Sequence, residues 1–195
     1  SKDNDDFSNI MFDGYIRFIT LFTGFLLVII KPFMYIYVNP SFVEAWKYTP
    51  FLIIGYAFST LGTFVGTPYY VYKDMKGNMF SAASGAMINV ILNAILIPTL
   101  GIQGAAIATC FSYIVVFIYR VFDTRKYVIL NFKKKEYVAF LSGILLLSAL
   151  CYVDIQWKIF IMLIIYAYLI VLNKKLIGTL YRSLKQRKMK KKNLS

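Results

Sequence analysis

The sequence predicts an all-α integral membrane protein with six transmembrane helices. Of its 195 residues 59% are hydrophobic and 16% are charged, and the mean hydropathy is +0.62, whereas about a quarter of the residues in a soluble domain are charged. The apolar runs reach the ~20 residues of helix that cross the hydrocarbon core of a bilayer. They lack the strict alternation of barrel strands, so helices are the expected spanning structure.

Uncharged stretches place the helices in order along the chain. The stretch 77–119 is too long for a single span, and Pro98, Gly101 and Gly104 predict a tight turn that divides it. The six predicted spans are residues 18–38, 48–72, the two halves of 77–119, 137–153 and 155–172.

The basic residues predict the orientation of these spans. Lys47 and Lys158 are the only ones in predicted outer turns, and Lys31 lies within a span, while all the others fall in segments on the side of the N-terminus. Basic loops stay in the cytoplasm, so both termini are expected there. The net charge of +13 is then explained by topology, and nucleic acid is not expected as a partner.

Charge and hydropathy also divide the chain into segments. The prediction is a cytoplasmic leader over 1–17, a four-helix part over 18–126, a cytoplasmic basic loop over 127–136, an extra transmembrane pair over 137–173 and a basic cytoplasmic tail over 174–195. The tail either only fixes the topology or lies on the inner leaflet as an amphipathic helix. Transporters built from repeats usually need two facing bundles, so the chain is expected to be the C-terminal portion of a larger protein.

The composition argues against enzymatic and metal chemistry. Histidine is absent, which excludes imidazole bases and most zinc sites. Cys110 and Cys151 lie in apolar runs and are expected to be small buried hydrophobic residues. We therefore expect no enzyme, no metal and no cofactor. The isolated acidic residues that form no catalytic constellation are Asp74, Asp123, Glu136 and Asp154.

Small residues at four-residue spacing predict where the helices pack closely. The second span carries Gly62 and Gly66, and the fourth carries Gly104 and Ala108. In lipid, such residues let two helix backbones approach each other. These positions, with Pro98 and Gly101 at the predicted turn, are interpreted as packing and turn residues.

The third span carries a polar stripe, because Ser81, Gly85, Asn89 and Asn93 recur every four residues. An unpartnered carboxamide in hydrocarbon costs several kcal/mol, so Asn89 and Asn93 should face other helices or a hydrated cavity. Hydrogen bonding between helices and the lining of a hydrophilic lumen are both open interpretations.

Lys31 is the one ionisable residue well inside a predicted span, and Pro32 beside it predicts a kink. It shares a helical face with Thr20, Gly24 and Leu27. Its ammonium group either extends outward to the headgroups or projects into the bundle as a fixed cation for an anionic, phosphate-bearing substrate.

A series of segments resembles the Wzx-type oligosaccharide flippases, the polysaccharide transporter family of the superfamily that also contains the MATE exporters. The resemblance covers roughly residues 18–126. The segments that carry it are Lys31-Pro32, residues 45–50, residues 66–70, Ile88–Asn93, Leu96–Pro98 and Gly101–Thr109.

The resemblance implies a two-lobe helical bundle, of which this chain supplies the last four helices of the C-terminal lobe plus an extra pair. It implies a bacterial cytoplasmic-membrane protein that translocates undecaprenyl-diphosphate-linked oligosaccharide repeat units for surface polysaccharide biosynthesis. Its expected partners are membrane lipids, the lipid-linked oligosaccharide and the missing N-terminal lobe. Lys31, Asn89 and Asn93 are the candidates for the substrate-binding lumen.

Three other readings compete with a flippase. A MATE-type cation-coupled multidrug exporter is expected to carry carboxylates within the membrane, and this sequence places its acidic residues outside the spans or at their edges. A membrane-embedded transferase needs a catalytic constellation. A truncated, inactive flippase would share every feature described above.

Overall fold

The computed structural model describes residues 2–153, 155–174 and 178, with the side chains of residues 2–5 and 134 left out. The described part is helical, and no strand occurs in it. Its α-helices are α1 Lys2–Tyr37, α2 Thr49–Val65, α3 Thr67–Val71, α4 Met75–Leu100, α5 Ile102–Asp123, α6 Lys134–Tyr152 and α7 Lys158–Leu172. Two 3₁₀ helices cover Pro40–Lys47 and Thr124–Lys126.

The prediction of an all-helical chain is confirmed for the described residues. Among them, five helical segments are long and apolar enough to cross a bilayer, as expected of a membrane protein: Asp6–Tyr37, Thr49–Val71, Met75–Leu100, Ile102–Lys126 and Lys135–Tyr152. The predicted sixth span contains α7, whose 15 residues extend about 22 Å and fall short of the ~30 Å hydrocarbon core. Six complete spans therefore stay a prediction, as do the two lobes.

The predicted leader is helical and continuous with the first span, because α1 begins at Lys2 and continues unbroken through Pro32 to Tyr37. Phe12 is fully buried in a cluster with Leu61 and Val65 of α2. Apolar packing thus stabilises the helix within residues 1–17, the segment whose acidic residues led to its prediction as a leader. The predicted tail lies almost entirely outside the described residues, so its amphipathic helix stays a prediction.

The turn between α4 and α5 is a single residue, Gly101, with φ +57° and ψ −134°. A positive φ of this kind is readily adopted by glycine. Pro98, expected in the turn, lies within the last turn of α4 instead. There a proline removes only the backbone hydrogen bond to the Ala94 carbonyl, so the helix continues to Leu100.

The helices form two groups. In one group α2 and α4 both pack on α5, and in the other α1, α6 and α7 pack on one another, with α1 also contacting α2. Leu27, Leu147 and Leu169 are fully buried where α1, α6 and α7 meet. This arrangement leaves a groove along α5 on one side and a cleft beside α1 on the other.

An arginine joins the ends of the second group. Arg17 of α1 is 2% exposed and forms an ion pair with Asp13 at 3.1 Å and another with Glu136 of α6. Its Nη1 also donates to the Leu172 carbonyl at the end of α7, at 3.2 Å. The two carboxylates compensate the buried guanidinium, and α7 is thereby fixed antiparallel to α1.

A candidate functional site in the groove between α2, α4 and α5

A polar groove of about 470 Å³ runs along α5. Because α2 and α4 pack on α5 rather than closely on each other, α5 forms its floor and the other two helices form its walls. The lining residues with hydrogen-bonding side chains are Ser59, Thr63, Asn89, Thr109, Ser112, Tyr113 and Arg120. From Thr109 to Arg120 the groove extends about 16 Å, half the thickness of the hydrocarbon core.

Arg120 provides the charge at one end of this groove. Its Nε donates to Ser81 Oγ at 3.1 Å, its Nη1 to the Gly62 carbonyl at 3.1 Å, and its Nη2 to Asn78 Oδ1 at 3.0 Å. All three acceptors are neutral, and no carboxylate of the described residues lies within ion-pair distance of Arg120. The guanidinium is thus held in place by α2 and α4 while its charge is left available.

Two glycines make room at this end of the groove. A Cβ atom added at Gly66 would lie 2.9 Å from Arg120 Nη1. A Cβ atom at Gly85 would lie 2.2 Å from a methyl group of Val116. Gly66 therefore allows the arginine to lie against α2, and Gly85 allows α4 to approach α5.

Asn89 lies in the groove and bridges two helices. Its Nδ2 donates to Ser112 Oγ at 3.3 Å and lies 3.5 Å from Thr109 Oγ1, both on α5. Asn93 donates to Asn89 Oδ1 at 2.9 Å, whereas its own Oδ1 is buried with no hydrogen-bond partner. The stripe thus bonds α4 to α5 and also supplies a polar wall, so both interpretations of it stay open.

Lys31 does not join the asparagines. Its side chain lines a different cavity, between α1, α6 and α7, and its Nζ lies 4.4 Å from the centre of the Trp46 ring. The face that it shares with Thr20, Gly24 and Leu27 is buried as far as Leu27. Of the three candidate lumen residues, therefore, Asn89 lines the groove, Asn93 contacts Asn89 without lining the groove, and Lys31 lines the other cavity.

The predicted packing residues lie where α5 contacts α2 and α4. A Cβ atom added at Gly62 would be 3.6 Å from the Phe117 Cα, and one at Gly104 would be 2.4 Å from the Leu96 carbonyl oxygen. Ala108 is fully buried in α5. Gly104 thus allows α5 to pack directly against the backbone of α4 beyond their turn.

The sequence analysis did not identify Arg120 as a site residue, because it used this arginine only to predict the membrane topology. A signal existed, because Thr109, Ser112 and Arg120 are spaced at three and eight residues and so share one helical face. That face could not be assigned to the asparagine stripe until α4 and α5 were known to pack side by side.

A network of charges surrounds the turn before α4, next to the Arg120 end of the groove. Asp74 caps α4 by accepting from the Gly77 N–H at 2.9 Å, and it also binds Lys126 at 3.1 Å and the Tyr127 hydroxyl at 2.9 Å. The Gly77 hydrogen bond first, and then Lys126, hold the pKa of Asp74 below its ordinary value. The turn is therefore tied to the end of α5.

The groove offers hydroxyl groups, one carboxamide and one guanidinium, which suit a ligand that carries both sugar hydroxyls and phosphate oxygens. No family model, curated protein or solved structure matches the chain. The chemistry of the groove and the segments quoted above are therefore the basis for assigning a function.

Proposed function

We propose that this chain is the C-terminal portion of a flippase that moves lipid-linked oligosaccharide repeat units across the bacterial cytoplasmic membrane. Its substrate would be an undecaprenyl-diphosphate-linked sugar, used in surface polysaccharide biosynthesis. The chain performs no bond chemistry in this proposal. Its task is to replace water around a polar headgroup while the lipid tail stays in the bilayer.

The observation that carries the proposal is the groove with Arg120 at its end. A sugar–diphosphate headgroup needs hydrogen-bond partners in the membrane, since burying unpaired polar groups costs several kcal/mol. The groove is about 16 Å long and is lined by five hydroxyl side chains and the Asn89 carboxamide, and Arg120 adds a cation with three neutral partners. Guanidinium groups bind phosphate oxygens in a bidentate manner.

The carboxylates favour a flippase over a cation-coupled exporter. Asp13 lies within the first candidate span, deeper than the sequence suggested. It is paired with Arg17 at 3.1 Å and with Lys133 at 2.9 Å, and Glu136 is paired with Arg17 as well. Carboxylates already neutralised by basic partners are poor sites for a transported cation.

The test is the restoration of surface polysaccharide in a bacterial strain that lacks its own flippase, by the full-length gene carrying changes at Arg120. We expect Arg120→Gln to lower the polymer about 10- to 100-fold, because a hydrogen bond to a charged group contributes about 1.5–3 kcal/mol. Arg120→Lys should retain part of the activity. Polymer is measured per unit of protein in the membrane.

Arg125→Gln is the matched control. Arg125 is exposed, lies over the Phe122 ring at 4.7 Å and does not line the groove, so this change should leave the polymer at the wild-type level. Failure of the unmodified gene to restore polymer would contradict the proposed function. Restoration by Arg120→Gln to the wild-type level would remove the groove from it.

A further inference from the structure

The asparagine that contacts Arg120 is itself held in one orientation. Asn78 Oδ1 accepts from Arg120 Nη2 at 3.0 Å, and the Nδ2 of the same carboxamide donates to the Tyr70 hydroxyl at 3.1 Å. A carboxamide carries an acceptor on one side and donors on the other. The hydrogen bond to Tyr70 of α3 therefore keeps the oxygen of Asn78, and not its amino group, directed at the guanidinium.

Ser81, one turn further along α4, is oriented in the same sense. It is fully buried, and its hydroxyl group donates its one proton to the Asn78 carbonyl at 2.8 Å. The oxygen is then left to accept from Arg120 Nε at 3.1 Å. Both side chains of α4 thus face the arginine as acceptors, beside the Gly62 carbonyl of α2.

These three contacts leave part of the guanidinium unused. A guanidinium has one N–H on Nε and two on each Nη. Arg120 donates once from each nitrogen to the described residues, so one N–H remains on Nη1 and one on Nη2. Guanidinium groups bind phosphate through two such donors, and Arg120 lines the groove.

The carboxylates near Arg120 in the sequence and at the start of α4 are bound by Lys126 instead. Asp123 pairs with Lys126 at 3.2 Å, and Asp74 pairs with it at 3.1 Å. Asn78 follows Asp74 by one helical turn. The neutral amide at position 78 therefore gives Arg120 an acceptor without giving it a counter-charge.

We propose that Asn78, oriented by Tyr70, is the positioning residue of Arg120, which directs the guanidinium into the groove and leaves its charge available to a phosphate. A carboxylate at position 78 would keep the hydrogen bond and offset the charge. The inference rests on the proposed function, since the phosphate would be that of the lipid-linked sugar, but it is tested by binding and not by transport.

The test measures binding and folding separately. The full-length protein in neutral maltoside micelles is titrated calorimetrically with farnesyl diphosphate, and titration with uncharged farnesol corrects for partitioning into the micelles. The thermal unfolding midpoint of each variant is measured in the same micelles. We expect Asn78→Ala to bind farnesyl diphosphate about threefold more weakly than the wild type and to unfold at a lower temperature, because it loses two hydrogen bonds.

Asn78→Asp separates a positioning role from a merely structural one. Its carboxylate can accept from Arg120 and from the Tyr70 hydroxyl, so its unfolding midpoint should be above that of Asn78→Ala. The ion pair offsets the charge of Arg120, so the binding of farnesyl diphosphate should fall about 10- to 100-fold. Stability and binding would then change in opposite directions between the two variants, which a structural role alone does not produce.

Tyr70→Phe tests the orientation of the carboxamide. It should weaken binding about threefold in the wild type and cause no further loss in Asn78→Ala, where no carboxamide is left to orient. Asn131→Asp is the matched control. It adds the same charge at an exposed residue that does not line the groove, so binding should not change.

Binding by Asn78→Asp that equals or exceeds that of Asn78→Ala would overturn the inference. Equal losses in Asn78→Asp and Asn131→Asp would also overturn it, because the added charge would then act without the contact to Arg120. So would the absence of farnesyl diphosphate binding by the wild type. The proposed function fails by a different result, the failure of the unmodified gene to restore polymer, so the two failures are distinguishable.

Discussion

Two arginines of this chain show that the partners of a charged residue decide its role. Arg17 is buried against Asp13 and Glu136, so its charge is compensated and it joins helices. Arg120 donates only to two side-chain oxygens and one carbonyl, so its charge can still attract an anion. The sequence presents both as single basic residues near the ends of spans.

At the scale of one residue, we predict a pH dependence from Asp74. Its pKa lies below the ordinary value of 3.8 in the folded protein, chiefly because of the Gly77 N–H and then Lys126. A carboxylate with a lowered pKa stabilises the fold above its unfolded pKa, and this stabilisation is lost as the pH falls through the folded pKa. The contribution should therefore begin to decrease below about pH 4 and disappear only once the pH has fallen through the lowered pKa of Asp74.

Asp74→Asn is the comparison, since asparagine keeps an acceptor for the Gly77 N–H and cannot titrate. The difference in thermal unfolding midpoint between the wild type and Asp74→Asn is measured in micelles from pH 6 to pH 3. We expect the wild type to be the more stable at pH 6 and the difference to shrink towards pH 3. A difference that does not change over this range would contradict the prediction.

At the scale of the helices, α5 is the element on which the groove depends, because α2 and α4 both pack on it. Small residues serve both contacts. Gly62 and Gly66 face α5 from α2, and Gly104 faces α4 from α5. The same small-residue pattern therefore occurs at two different interfaces. The space between each glycine and the facing helix differs between them.

Two glycine-to-alanine changes separate these interfaces. In Gly104→Ala the new Cβ would be 2.4 Å from the Leu96 carbonyl oxygen and 2.6 Å from its carbon. These backbone atoms cannot turn away, so we expect a loss of about 1–3 kcal/mol. In Gly62→Ala the nearest atom is 3.6 Å away, and alanine favours a helix by up to ~1 kcal/mol over glycine.

The measurement is the unfolding free energy of both variants in mixed micelles with increasing denaturing detergent. Gly104→Ala should unfold at lower detergent than the wild type, and Gly62→Ala at the same or higher detergent. Equal behaviour of the two variants would show that the approach of α4 to α5 at Gly104 is not as close as the structure has it.

At the scale of the whole molecule, each of the two groups of helices has basic side chains in a cavity of its own. Arg120 lies at the end of the groove towards the basic loops, and Lys31 and Lys158 lie at the opposite end of the bundle beside the basic-poor turns. If the basic loops are cytoplasmic, the groove is reached from the cytoplasmic side and the lysine cavity from the outer leaflet. The topology therefore decides from which side of the membrane each cavity is reached.

We predict this topology from the distribution of basic residues. Single cysteines are introduced into a Cys110→Ala, Cys151→Ala background and labelled with a membrane-impermeant maleimide in intact and in permeabilised cells. The exposed positions to be tested are Ser41, Lys73, Lys133 and Gln156.

Cysteines at Ser41 and Gln156 should be labelled in intact cells, and those at Lys73 and Lys133 only after permeabilisation. The reason is that moving the basic loops through the membrane is unfavourable. Labelling of Lys73→Cys in intact cells would show that the orientation is the opposite of the predicted one. Labelling of Ser41→Cys and Gln156→Cys on opposite sides would show that α7 is placed differently from α1 and α6.

The sequence by itself determined the class of the protein and most of its helices. Long uncharged stretches in a chain with 16% charged residues have to be helical to satisfy their backbone in lipid, and this is a local requirement. It also identified the stripe of Asn89 and Asn93 from its period. The leader and the position of Pro98 were less well predicted, because apolar packing and one tolerated proline extended α1 and α4 beyond their expected ends.

Only the tertiary structure decided which polar residues face one another. It brought Arg120 of α5 to the α4 stripe that contains Asn89, and it separated Lys31 into a cavity with Lys158. The periodicity of a helix gives the direction of its polar face but does not identify the neighbour that this face meets. In a bundle whose described helices are apolar on the outside, that choice depends on how closely the backbones can approach, as at Gly62 and Gly104.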